Sequence, residues 1–152
     1  MVVGLISDTH GLLRPEAVEG LRGVDRIIHA GDVGRIEIVA ALRSIAPVTA
    51  VRGNVDSGPC GMLPVRETVV VGGHRIHVLH DLNDLDPDED VAAVIFGHTH
   101  KPVVKEVDGV LYVNPGSAGP RRFSLPISMA RLTITPEGLR AELIDLAPDE
   151  LL

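Results

Sequence analysis

Seven side chains carry the chemistry that this sequence offers: Asp8, His10, Asp32, Asn54, His80, His98 and His100. Each lies at the end of a short apolar run. Asp8 and His10 follow the run from Val2 to Ser7, and Asp32 follows the run from Asp25 to His29. Asn54 follows Val48 to Val51, His80 follows Arg75 to Leu79, and His98 and His100 follow the run that ends at Phe96. If the runs are strands, five strand ends deliver these groups to one edge, where open α/β sheets bind ligands. Carboxylate, imidazole and amide oxygen without thiolate suit borderline divalent ions such as Mn, Fe, Co, Ni or Zn. A Ca or Mg site would hold more oxygen and fewer imidazoles. Seven ligands exceed the needs of one ion, so two ions sharing a bridging carboxylate is the economical arrangement. Two such ions about 3.5–4 Å apart suit phosphoryl transfer, since they activate a water and clamp phosphate oxygens.

Taken singly, each piece has a plainer explanation. Asp8-Thr9-His10 reads as a helix-capping segment with a surface histidine, Gly31-Asp32 as a loop, and Gly53-Asn54 as a turn. Gly97-His98-Thr99-His100 is the most specific, because His-x-His after a buried strand places both rings near one edge. The joint placement at successive strand ends is what the separate explanations fail to cover.

The positioning elements follow from hydrophobic periodicity. Val2 to Ser7, Asp25 to His29 and Val48 to Val51 read as buried strands. Pro15 opens a helix with Ala17, Val18 and Leu21 on one face. Gly34 to Ser44 forms a second helix, with Ile38, Leu42 and Ile45 in register. Strand–helix–strand–helix–strand implies a parallel sheet with crossover helices. The second half is mostly β. Val65 to Val71 and Arg75 to Leu79 form a hairpin about Gly72-Gly73, and Ala92 to Phe96 is a buried strand. Val103 to Val107 and Val110 to Val113 form a second hairpin, and Ile127 to Ile134 and Leu139 to Leu146 a third. The acidic stretch from Asp81 to Asp90 is expected to be a loop, or a short helix at most. No internal repeat or linker is visible, and residues 1–152 are expected to form one domain.

Composition narrows the function classes. The 152 residues are 45% hydrophobic and 23% charged, the balance of a soluble globular chain. Aromatics are only 2%, so the core must be aliphatic. No apolar run approaches the roughly 20 residues of a membrane span. The apolar N-terminus meets Asp8 without a basic leader, so it reads as a strand and not a signal peptide. One cysteine, Cys60, excludes an internal disulfide and makes a reducing, cytoplasmic setting the default. Net charge −7 argues against duplex nucleic acid as a partner. With Tyr112, Phe96 and Phe123 as the only aromatics, a base-stacking surface is also disfavoured.

Ser7-Asp8-Thr9-His10-Gly11, Ala30-Gly31-Asp32, Arg52-Gly53-Asn54-Val55-Asp56, His80, Gly97-His98-Thr99-His100 and Asn114-Pro115-Gly116-Ser117 occur in that order. Together they resemble the calcineurin-like metallophosphoesterases, in particular the small single-domain prokaryotic phosphodiesterase branch, over nearly the whole chain. The resemblance implies an α/β fold, a four-layer α/β/β/α sandwich. It implies that Asp8, His10, Asp32 and His100 hold one metal. Asp32, Asn54, His80 and His98 would hold the other, with Asp32 as the bridge and the Asn54 amide near the phosphate. The expected cofactors are two divalent ions, Mn2+ first, with Fe, Co, Ni and Zn as alternatives. The expected reaction is hydrolysis of a small phosphodiester by in-line attack of a metal-bound hydroxide, with His10 near the leaving oxygen. No membrane is involved, and self-association stays open. The rivals are a phosphomonoesterase, a metal-dependent nuclease and a non-catalytic scaffold of the same fold, as in the eukaryotic retromer complex.

Three positions depart from the family pattern. Val55 stands where several relatives carry a histidine that protonates the leaving group or binds phosphate. Asp81 stands where many have glycine, which crowds or recharges the pocket rim. The acidic stretch before His98 is short where relatives often have a helix. Among the remaining residues, His74 and His77 are expected to be partly exposed on the hairpin, and His29 to be either a support behind the ligands or a packed strand residue. Cys60 is expected to be an incidental loop thiol, Arg121 and Arg122 a solvated pair in preference to a phosphate contact, and Asn114 to Ser117 a turn under the site.

Overall fold

The computed structural model describes residues 1–86 and 90–148. Two five-stranded sheets stack on each other. The first holds β1 (Val2–Ile6), β2 (Arg26–His29) and β3 (Val48–Ala50), mutually parallel. Parallel neighbours need crossovers, and α1 (Pro15–Gly20) and α2 (Ile36–Arg43) lie within them. The second sheet is built from β4 (Arg66–Val71), β5 (His74–Leu79), β6 (Ala93–Ile95), β7 (Val103–Val107) and β8 (Val110–Asn114), in the order β4-β5-β6-β8-β7. The last hairpin, β9 (Ser128–Thr135) and β10 (Gly138–Asp145), returns to the first sheet. There β9 runs antiparallel to β1, pairing Val2 with Thr133 and Leu5 with Ala130. The first sheet is therefore mixed and not purely parallel.

Strand alternation divides the apolar side chains into three layers. Ile6, Ile27 and Met129 face the helices and pack on Ala17, Leu21, Val39 and Leu42. Val3, Leu5, Ile28, Ala130 and Leu132 face the second sheet, meeting Ile76, Val78, Ile95 and Val113. The largest fully buried side chains are all aliphatic or Met, as the low aromatic content requires. The outer face of the second sheet carries Leu79, Val94 and Phe96 beneath Leu82 and Leu85. Among the described residues, a 3-10 turn at Leu82–Asp84 and its flanking chain cover this face in place of an α-helix. Residues 87–89 of the acidic stretch lie outside the described residues.

This cover corrects one expectation. His77 is buried, 1% exposed, with Nδ1 at 2.8 Å from the Thr68 hydroxyl, while His74 is partly exposed. Alternation sends Ile76 and Val78 inward, so His77 points outward, but the crossover from β5 to β6 passes over that face. Cys60 likewise departs from the loop-thiol expectation. It lies in a 3-10 turn, Gly58–Met62, and is buried in the layer beneath the helices.

Candidate metal centre

The seven predicted side chains converge at one end of the sandwich, beyond the carboxyl ends of β1, β2, β3, β5 and β6. The backbone there is unusual. Asp8, His10, Asp32, His98 and His100 all have φ between 47° and 75°, the left-handed region that non-glycine residues rarely enter. Such strain persists only where surrounding contacts over-determine it, and it gathers at functional sites. Here the sharp turns let alternate residues of Asp8-Thr9-His10 and His98-Thr99-His100 face the same space.

Asp8 lies at the centre. Its Oδ2 accepts the Ser7 hydroxyl at 2.7 Å and the His98 backbone N–H at 3.2 Å. Its Oδ1 is fully buried without a hydrogen-bond partner. Around that oxygen stand three imidazole Nε2 atoms, of His100 at 3.4 Å, His10 at 3.7 Å and His80 at 3.8 Å. These separations exceed a hydrogen bond. Ligands about 2.1 Å from one ion at tetrahedral angles lie about 3.4 Å apart. An orphaned, buried carboxylate oxygen ringed by nitrogens is a fit for divalent cations. Two ligand groups result: Asp8, His10 and His100, and Asp8, Asp32 and His80.

Asp32 faces both groups through one oxygen. Its Oδ2 is 3.1 Å from His80 Nε2 and 3.8 Å from His10 Nε2, while Oδ1 accepts the Val55 N–H at 3.0 Å. His80 Nδ1 donates to the Ala30 carbonyl at 2.8 Å, which leaves Nε2 as the atom aimed into the site. His98 Nδ1 lies 3.2 Å from Asn54 Oδ1, and its ring meets that of His80 edge-on at 5.2 Å. The rings of His10 and His100 are also 5.2 Å apart. The imidazole rings thus lie in two neighbouring pairs, while His98 and Asn54 stand outside both ligand groups.

The charges respond to this crowding. Burial works to raise the Asp8 pKa, but the His10 and His100 imidazoles, with His80 and Ser7, outweigh it and hold the carboxyl well below its ordinary range. Asp32 is also lowered, with burial opposed by His80 and the Val55 N–H. The His10 pKa is raised, chiefly by Asp8. His80 is raised too, because Asp32 and Asp8 overcome its burial.

Several residues support the ligands from behind. His29 accepts the Gly31 N–H at Nδ1 (3.1 Å), so its proton is on Nε2, which lies 3.0 Å from the Thr9 hydroxyl. Thr9 in turn donates to the Val33 carbonyl at 2.8 Å. Burial lowers the His29 pKa to about 4, so the ring is neutral. Asp56 accepts the backbone N–H groups of Gly53, Val33 and Gly34 at 2.9–3.2 Å, tying the loop after β3 to the loop after β2. Asn-x-Asp spacing after a strand is the only sequence signal for that clamp. Asn114 donates to the Gly97 carbonyl, and Ser117 to the Asp8 carbonyl at 2.9 Å, so this turn lies under the site. Gly97 fits because a Cβ there would overlap Ser7 Oγ and come within 2.6 Å of Asp8 Oδ2. Arg121 is not a solvated partner of Arg122: it donates to the Leu125 and Ala147 carbonyls.

Fold and site together define a two-sheet protein with an Asp/His cluster suited to paired divalent cations. Residues 1–137 match the calcineurin-like phosphoesterase superfamily domain, and the chain belongs to that superfamily. It is 34% identical to a protein of Methanothermobacter thermautotrophicus named a probable metallophosphoesterase, covering 95% of this chain and 92% of the relative. It is 27% identical to a phosphodiesterase of Methanocaldococcus jannaschii, covering 76% and 83%. The fold also resembles Vps29 of Entamoeba histolytica, solved in complex with Zn2+, with TM-score 0.72, 25% identity, and coverage of 96% and 99%.

Proposed function

We propose that this chain is a binuclear-metal phosphoesterase that hydrolyses phosphodiester bonds in small substrates. One observation carries the reading: the buried, partnerless Asp8 Oδ1 inside a ring of three imidazole Nε2 atoms. Asp8, His10, Asp32 and His100 would hold one ion, and Asp32, Asn54, His80 and His98 the other, with Asp32 shared between them. The Asp32 Oδ2 position, facing both His80 and His10, supports that assignment. Bound ions of this kind, Mn2+ first among the candidates, make a strong nucleophile from water at neutral pH and neutralise phosphate oxygens. The chain supplies the rest. The Asn54 amide would lie beside the phosphate, and His10 near the leaving oxygen. The M. jannaschii relative supports the diester preference.

The similarity to Vps29 keeps one rival in view, a non-catalytic scaffold. The complete donor set favours the enzyme. Elemental analysis of the purified protein, followed by mono- and diester panels with each candidate metal restored, separates the readings. Two ions per chain and faster diester turnover are expected. Asp32→Asn is expected to abolish turnover and weaken retention of both ions. Protein without bound metal and inert with every metal would establish the scaffold, and preferred monoester turnover would make it a monoesterase.

A further inference from the structure

We propose that Arg52 and Arg66 hold a second phosphate of the substrate, so that the bond cleaved is the P–O–P link of a phosphoanhydride flanked by two ester groups. The inference rests on the phosphoesterase reading above and narrows its substrate class. A cavity of about 150 Å³ adjoins the metal centre, with Asn54 and His80 in its wall, and Arg52 and Arg66 line it beside them. Their placement follows from the chain. Arg52 lies two residues before Asn54, and its backbone N–H donates to the Pro64 carbonyl at 2.8 Å, which brings the start of β4 alongside the end of β3. Arg66 then pairs with Leu79 across β4 and β5, one residue from His80. Both arginines are exposed. Arg52 Nη1 donates to the Gly61 carbonyl at 3.3 Å, and a guanidinium carries five N–H donors, so most of them are unused. Arg66 has no hydrogen-bond or ion-pair partner among the described residues. Asp81 and Asp84 line the same cavity from the turn after β5, but neither pairs with Arg52 or Arg66. Asp81 Oδ1 already accepts the Asn83 N–H at 3.0 Å. The cavity therefore has a basic wall and an acidic one, and an anion is drawn to the basic wall.

Two guanidiniums suit a phosphate, because their planar forks match its oxygens. The leaving group supplies a second argument. Val55 has no proton to donate. A departing phosphate needs none, because it is stable as an anion at neutral pH. In the reaction a water adds its hydroxyl to one phosphorus, and the bond from that phosphorus to the bridging oxygen breaks. The bridging oxygen leaves as an anion with the second phosphorus, and the remaining water proton goes to solvent. Two phosphate monoesters result. Arg52 and Arg66 offset the charge on the departing one.

The test compares two nucleoside substrates in the metal-restored full-length protein. Diadenosine diphosphate carries a P–O–P link. The nitrophenyl ester of thymidine monophosphate has one phosphorus and a leaving group of similar acidity. Arg52→Gln and Arg66→Gln are each expected to lower kcat/KM for diadenosine diphosphate about tenfold or more relative to the nitrophenyl ester, through loss of a charge-assisted contact. Arg52→Lys and Arg66→Lys keep the charge without the fork and are expected to recover part of that ratio. A ratio unmoved by both glutamine variants would overturn the proposal, because the arginines then do nothing for the second phosphate. A parent that hydrolyses the nitrophenyl ester and not diadenosine diphosphate would also overturn it, while the phosphoesterase reading stands. A parent inert toward both with every candidate metal would overturn the phosphoesterase reading, and this inference with it.

Discussion

Val55 serves the site through its main chain: its N–H holds Asp32 Oδ1 at 3.0 Å, while its side chain is 57% exposed. It has no proton to give a departing oxygen. Asp56 is no substitute, because both of its carboxylate oxygens are engaged by backbone N–H groups. The leaving group must then depart as an anion or be protonated by water. General acid help is typically worth ~10²–10⁴-fold, and its absence penalises basic leaving groups most. For a diester series, log rate is expected to fall steeply as leaving-group pKa rises, with aryl esters fast and alkyl esters slow. Val55→His is expected to recover part of the alkyl rate. A flat plot for the parent would mean that another residue already supplies the proton. The sequence shows the missing histidine at position 55. That Asp56 is occupied is visible only in the folded chain, because two of its three donors come from the loop after β2.

The elements that position the ligands are joined at their ends. Val33, through Thr9, and Gly31, through His29, lock the loop after β2 to the loop after β1. This device has a pH signature. The His29 pKa in the fold is about 4 against 6.5 for an unperturbed ring. As pH falls from about 6.5 to about 4, the unfolded chain takes up a proton that the folded chain refuses, so stability is lost across that window. The shift corresponds to roughly 3 kcal/mol in full, of which about 2 kcal/mol is lost between pH 7 and pH 5. His29→Gln removes the titration. Urea unfolding of metal-free protein is expected to show the parent falling toward the variant between those pH values. A parent–variant difference independent of pH would show that His29 does not stay neutral in the fold. Hydrophobic runs made these strands legible, but the sequence left His29 open between packing and support of the site, because its partners, Thr9 and Gly31, belong to loops whose mutual approach is tertiary.

Across the whole molecule, the centre joins two sheets: the first provides Asp8, His10, Asp32 and Asn54, the second His80, His98 and His100. Metal uptake should therefore brace the sheets against each other, and protons compete for the same nitrogens. His10 and His80 are both raised above 6.5 by the facing carboxylates. In the metal-free protein their charged forms stabilise the fold at low pH, and that contribution is lost as pH rises through the raised values. Metal binding needs the neutral rings, so it is weak in acid, strengthens as pH rises through and beyond 6.5, and releases protons. The metal-induced rise in unfolding temperature is expected to grow with pH over the same range. Calorimetry in buffers of different ionisation enthalpy reads the released protons directly. A pH-independent thermal shift with no proton release would mean that imidazoles do not hold the ions.

The sequence by itself determined the donor inventory, the strand ends on which it stands and the aliphatic character of the core. These are local properties: a side-chain period of two marks a strand, and a polar residue after it marks the strand end. Tertiary structure alone decided which strands are neighbours. The last hairpin returns to β1 across about 130 residues, making the first sheet mixed, because periodicity records which face is buried and not against what. The same ignorance hid the burial of His77 and Cys60. It also hid the central place of Asp8, whose Oδ1 meets nitrogens from three separate strand ends only once the two sheets are stacked.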